Sequence, residues 1–275
     1  MNRNAGIALL SAVLGACSMT PSSTMTTATP STPVTATAAT LAPMGKLRAA
    51  INFGNPILAV KDPATGEPHG VLVDLARELA RRLGVPLELV LYTAAGKVVD
   101  GVKAGEWDVG FVAIDPVRAA DMDYTAPYVI IEGAYLVPQN SPIRQNAEVD
   151  REGVRVVVGA GSAYDLYLTR ELKKAKIIRA PTSPAVVDTM VAQAVEVAAG
   201  VKQQLEADAR RVPGVRLLEG RFMVINQAMA APKGRAAGVR YLAEFIEEMK
   251  ASGFVASALK RHGIEGAAIA PPATR

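Results

Sequence analysis

Short apolar strands alternate with amphipathic helices twice along this chain, and that alternation restricts its possible folds more than any other feature. In the first set, "LRAAIN" (Leu47 to Asn52) reads as a strand. "HGVLVDLARELARRLG" follows, with Leu72, Leu75, Ala76, Leu79, Ala80 and Leu83 at helical spacing, ended by Gly84 and Pro86. "LELVL" (Leu87 to Leu91) is a second strand, "GKVVDGVKAG" a short helix, and "DVGFVA" (Asp108 to Ala113) a third strand. After Pro138 the pattern returns: "VRVVVG", "KIIRA" and "VEVAAG" as strands, separated by the helices "AYDLYLTRELKKA" and "SPAVVDTMVAQA". This second set is expected to form a sheet of its own. An extended segment, "RFMVINQAMAAPKG", then leads to a closing helix marked by Val239, Leu242, Phe245, Ile246 and Met249. Strand–helix alternation predicts an α/β fold with parallel strands, whose ligands sit beyond the strands' carboxyl ends. Asn52 to Pro56, Tyr92 to Lys97 and Ala113 to Arg118 fall at those ends.

The residues before this pattern have a different character. Arg3 supplies a positive start, "IALLSAVLGA" (Ile7 to Ala16) a short apolar run, and Cys17 follows at once. The run is too short to span a bilayer as a helix, which takes about 20 residues. Residues 1–17 read as an export signal, and Leu14-Gly15-Ala16-Cys17 resembles the bacterial lipobox, in which the cysteine is acylated and becomes the mature N-terminus. The alternative is an ordinary secretory signal in which Cys17 is incidental. As the chain's single cysteine, it cannot form an internal disulfide. Residues 18–43 are almost entirely Ser, Thr, Pro and Ala, with no charge between Arg3 and Lys46. Such a composition predicts a disordered tether.

Composition excludes several partners. The 30 Lys and Arg among 275 residues are scattered and nearly matched by 26 Asp and Glu, so no basic face for nucleic acid emerges. His69 and His262 are the only imidazoles; neither has metal-ligand spacing, and both read as solvent-facing. "GAGSAY" lacks the third glycine and acidic partner of a dinucleotide loop. No metal or other cofactor is expected.

Several local motifs, in order, carry a family resemblance: "GVLVDLARELARRLGV", "VKAGEWDVGF", "DYTAPY" and "VGAGSAYDLYL". Over Lys46 to about His262 the chain resembles the amino-acid-type periplasmic solute-binding proteins of ABC importers. The resemblance implies a two-lobed periplasmic-binding-protein fold of type II-like architecture. Lobe I would comprise residues 44–137 and 226–268, lobe II residues 138–225, and residues 269–275 a flexible tail. The crossing strands would be "AYLVPQ" and "MVINQA". It also implies a monomer that receives a small carboxylate ligand, without catalysis, and delivers it to permease subunits.

Asp115-Pro116-Val117-Arg118 stands where the family has Thr-Pro-x-Arg, whose arginine grips the ligand's α-carboxylate. The residues themselves give a related placement: Asp115 is a good N-cap, Pro116 suits a first helical position, and Arg118 falls in the first turn. The bland reading is an exposed Arg118 paired with Asp121. The resemblance extends the ligand set to Ala113, Gly161, Ser162 and Asn55, with Phe53, Tyr92 and Tyr164 covering apolar parts. It also departs from the family. The aspartate that usually receives the ligand's ammonium is replaced at Gly200 or Val201. Either Asp115 or Glu132 takes over that role, or the ligand lacks an amino group. The same fold hosts periplasmic dehydratases of prephenate-like acids and ligand sensors, which remain alternatives to transport.

If Cys17 carries the lipid, Cys17→Ser leaves the precursor unacylated. Metabolic labelling with a palmitate analogue should mark wild type and miss the variant; equal labelling would remove the lipobox reading.

Overall fold

The structure is a computed structural model and describes residues 34–274; the export signal and Cys17 lie outside them. The central strands are β1 (Leu47–Asn52) and β5 (Val109–Ala113), with β4 (Leu87–Tyr92) at the edge. β1 pairs in parallel with both β4 and β5. Between β1 and β4 the chain makes a small hairpin of β2 (Val60–Lys61) and β3 (Pro68–His69), and then α2 (Val71–Leu83). The predicted apolar stripe of α2 is its buried face, and Gly84 closes it in a left-handed conformation at φ 66°. The short α3 (Ala95–Lys103) leads from β4 towards β5.

The second set has the same logic. β7 (Arg155–Gly159), β8 (Lys176–Ala180) and β9 (Val197–Val201) alternate with α4 (Ala163–Glu171) and α5 (Val186–Ala192), and α6 (Lys202–Arg211) follows β9. β7 lies parallel between β8 and β9. These strands do not form the separate sheet expected from sequence. β6 (Met122–Pro138) and β11 (Met223–Pro232) carry hydrogen bonding across from one set to the other, giving a single ten-stranded sheet in the order β4-β1-β5-β11-β6-β9-β7-β8, with two short strands added to β6. One of these is β10 (Val215–Leu217). β6 runs antiparallel to β11 up to Gly133, and from Gly133 onward it pairs with β9. Two segments therefore join the lobes, and both are strands. The closing helix is two helices, α7 (Ala236–Ala251) and α8 (Phe254–Arg261), because Gly253 breaks it at φ 76°.

Two segments expected to be mobile are built into the fold. The end of the expected tether forms α1 (Val34–Leu41), and Leu41 is fully buried with Ala42 beside it. A Cβ on Gly238 would stand 2.6 Å from Leu41 Cδ2, so α7 offers this leucine a close seat. The proline-free run "VTATAATLA" has enough alanine for a helix, and tertiary packing supplies what its composition lacks. The expected flexible tail is also held. β12 (Ala268–Ile269) adds to β6, Ala270 N donates to Tyr128 O at 3.1 Å, and Ala273 N donates to Glu247 Oε2 at 3.2 Å. The histidines are not simply solvent-facing either, since His262 Nε2 lies 2.8 Å from Asp74 Oδ2 and its ring packs near His69.

One buried carboxylate fixes the strand that leads to the cleft. Asp108, fully buried just before β5, accepts from Arg48 Nε and Nη2 and from Arg235 Nη1, each at 2.9 Å. Burial by itself would raise this carboxyl's pKa; the two guanidinium groups outweigh burial and hold it below the usual range. Asp108→Asn is expected to cost about 2–4 kcal/mol, since breaking such a pair strands the partners and Arg48 and Arg235 stay partly solvated. The sign in pH follows. A carboxyl with a depressed folded pKa contributes its full stability above its unfolded value of about 3.9 and loses it as pH falls through the folded value. Urea unfolding across that acid range should show a steeper loss of stability for wild type than for the variant.

Candidate functional site

The carboxyl ends of β1 and β5 face the start of α4 across a cavity of about 40 Å³, lined by Asn52, Asn55, Ala113, Arg118, Ser162 and Tyr164 among others. Arg118 is the centre of this arrangement. Asp115 Oδ1 accepts from Val117 N at 2.8 Å, fixing the turn, and Arg118 begins a single 3-10 turn, Arg118–Ala120. Its side chain turns inward and is 1% exposed. Nη1 donates to Ala113 O at 3.0 Å in lobe I, and Nη2 to Gly161 O at 2.8 Å in lobe II. Nε is buried with no hydrogen-bond partner in the protein. Burial pulls the guanidinium pKa downward; an arginine still keeps its charge at neutral pH. The exposed pairing with Asp121 does not occur, because Asp121 pairs with Lys103 at 3.5 Å.

The lobes meet closely around this side chain. Gly161 has φ +69°, and a Cβ there would lie 2.8 Å from Gly96 Cα. Glycine at both positions allows main chain to touch main chain. Beside that contact, Arg170 Nη2 of α4 donates to Asp115 Oδ2 at 2.9 Å, a second tie across the cleft. The cavity's electrostatics are one-sided. Leu72, Ala95 and Ala163, each in the first turn of α2, α3 or α4, all line it. Three helix N-termini thus add partial positive charge to that of Arg118. Among the described residues, no acidic side chain lines the cavity.

The predicted ligand residues divide accordingly. Arg118, Ala113, Asn55, Ser162 and Tyr164 come together at the cavity, and Gly161 contributes the carbonyl that holds Arg118. Ser162 also caps α4, its Oγ accepting from Asp165 N at 3.0 Å. Four of the expected residues lie outside the lining. Tyr92 donates to Glu106 Oε2 at 2.6 Å, away from the cavity, and Phe53 lies outside the lining, with Lys61 Nζ 5.3 Å from its ring centre. Glu132 accepts from Arg221 at 2.5 Å with Lys202 3.7 Å away, so it faces cations of the lobe surface. Asp115 is taken up by Val117 N and Arg170. Neither carboxylate offered as an ammonium acceptor reaches the cavity. Asn52, Ser183, Ile225 and Gln227 also line the cavity, and none of them was singled out as a ligand contact from sequence. Asn52 ends β1 and so had a positional signal; Gln227 belongs to a crossing strand and had none.

A family model for bacterial extracellular solute-binding proteins, family 3, matches residues 47–264. The chain belongs to that family. Solved structures agree on the fold of this family 3 protein. The solute receptor for L-cysteine of Neisseria gonorrhoeae is 24% identical, with a TM-score of 0.72 over 84% of this chain and 94% of the receptor. A mutant of ArgBP from T. maritima is 20% identical, with a TM-score of 0.71 over 83% of this chain and all of that one. An ancestral amino acid-binding protein described as a precursor of cyclohexadienyl dehydratase is 22% identical, with a TM-score of 0.68 over 80% of this chain and 96% of its own. No curated protein matches this family 3 chain.

The Gly96–Gly161 contact makes closure testable. Gly161→Ala places a Cβ against Gly96 and forces alanine to a positive φ, a strain of about 1 kcal/mol before the clash is counted. X-ray scattering under conditions that close wild type should give a larger radius of gyration for the variant, with cooperative unfolding retained. Superimposable profiles would show that closure does not need this contact.

Proposed function

We propose that this protein is the substrate-binding component of an ABC importer, which captures a small carboxylate-bearing solute, an amino acid or related compound, between its lobes and presents the closed form to permease subunits. It works outside the cytoplasm, held to a bacterial membrane by a lipid on Cys17, as a monomer, and does not transform its solute. Family membership and a buried cation between two lobes support this reading. The observation that carries it is Arg118. Its planar fork already bridges Ala113 of one lobe and Gly161 of the other, with Nε directed to neither. A carboxylate that engages this side chain therefore touches the element on which closure turns, and closure follows from its preference for the closed arrangement.

An enzyme of the dehydratase type is the second reading, raised by a structural relative described as an amino acid-binding precursor of such an enzyme. Such chemistry calls for a carboxylic acid in the cleft to exchange a proton with substrate. Asp115 and Glu132, the two candidates, both stand in ion pairs outside the cavity lining, which favours binding.

Arg118→Ala is expected to weaken solute binding by about 2–5 kcal/mol, because the ligand charge loses a desolvated partner. Arg118→Lys should recover only part of that loss, since an ammonium lacks the fork. Calorimetry with a solute found by thermal-shift screening checks both. An alanine variant that binds as tightly as wild type would overturn the clamp.

A further inference from the structure

The cavity lining has a cation and no acidic side chain, and this narrows its solute. An α-amino acid is a zwitterion: its carboxylate would meet Arg118, and its ammonium would need a carboxylate in return. The position at which the family resemblance expects that carboxylate holds Gly200 and Val201. Val201 lines the cavity, and Gly200 is packed so closely that a Cβ there would lie 3.1 Å from Leu205 Cδ2. The neighbouring acids are committed elsewhere. Asp115 holds Arg170, Glu132 holds Arg221, and Asp165 accepts from Gly161 N at 2.8 Å and from Arg179 Nε at 3.0 Å. An ammonium in the closed cleft would face a guanidinium and three helix N-termini with neutral side chains alone for company. Isolated charge without a partner is costly in such a site.

Three lining residues carry a buried polar atom without a protein partner: Tyr164, whose hydroxyl both donates and accepts, and two whose atoms specify what the cleft does match. Arg118 Nε is a donor without a protein partner, and Asn55 Oδ1 is an acceptor without one. Both residues line the cavity and both are more than nine-tenths buried. A carboxylate oxygen satisfies the first, and a hydroxyl satisfies the second while bringing no charge. The cavity of about 40 Å³ has space for a few water-sized groups, which favours a short chain. We infer that the preferred solute is a short-chain carboxylate bearing a hydroxyl in place of the α-amino group, so that the pair of cleft and ligand is electrically neutral. This rests on the reading of Arg118 as a carboxylate clamp.

Matched acids separate the two claims. Binding to the full chain is measured by calorimetry for glycolate, acetate and glycine, for L-lactate, propionate and L-alanine, and for the corresponding four- and five-carbon sets. The expected result is that the 2-hydroxy acid of the best-fitting skeleton binds at least about tenfold tighter than its amino acid, the uncompensated ammonium making the difference. Val201→Asp, which returns a carboxylate to the cavity wall, should move that ratio about tenfold or more towards the amino acid. An amino acid that binds wild type more tightly than its hydroxy partner overturns the inference and leaves the clamp standing. Absence of binding by every carboxylate in the panel overturns the clamp as well. If the variant fails to fold, the wild-type ratios decide by themselves.

Discussion

A buried guanidinium ties this structure's two halves to one another at the place where a solute would enter. Arg118 gives one nitrogen to a carbonyl of lobe I and another to a carbonyl of lobe II. Charge in the interior is costly unless it is hydrogen-bonded. Two carbonyls satisfy part of that need and supply no counter-charge, so the site retains an electrostatic demand that an anion can answer. The Arg170–Asp115 pair and the Gly96–Gly161 contact make sense in the same frame. They bring lobe II close enough for Gly161 O to reach Arg118, and Arg170 takes one oxygen of Asp115, an acid whose charge also acts on Arg118.

The scaffold makes this precision possible by feeding several chain segments to one level. Parallel β1 and β5 end beside Arg118, and α2, α3 and α4 start there. Asp108, tied to Arg48 and Arg235, anchors the entry to β5 from the opposite end. β6 and β11 are continuous strands that link the two sets, and β6 changes partner from β11 to β9 at Gly133. Sensing and closure then share a physical cause: a solute that favours the closed state shifts the population by the difference in its contacts with the two states.

Much of the fold was legible because its elements announce themselves through periodicity. The stripe of α2 and the fully apolar "VGFVA" of β5 had no reasonable alternative. β6 was harder. Only "AYLVPQ" was expected as the crossing strand, and Pro127 cannot donate to a ladder; a register irregularity opposite Ala228 accommodates the proline and lets the strand run from Met122 to Pro138. α1 was hidden by composition, because Leu41 is stabilised by a seat on α7 that no local rule reveals. In the site, the local pattern of Asp115-Pro116-Val117-Arg118 placed the arginine in a turn but left an exposed pair with Asp121 equally open, and the family resemblance supplied the ligand role. Tyr92 misled because its neighbours end a strand at the cleft side while its own side chain faces Glu106. Gln227 was invisible: it contributes through the register of β11 against β5, which is set by pairing across more than a hundred residues.

The central claim is that a solute carboxylate completes the coordination of Arg118. Nitrogen-15 NMR of the arginine Nε–H groups reads this atom directly, with the Arg118 signal assigned by its loss in Arg118→Lys. Titration with the tightest-binding carboxylate should move the Arg118 Nε–H proton strongly downfield, as a charge-assisted hydrogen bond forms at an atom that has no partner within the protein. The other arginine Nε–H signals should shift little. A bound solute that leaves the Arg118 Nε–H resonance in place would contradict the account, since the carboxylate would then be held elsewhere.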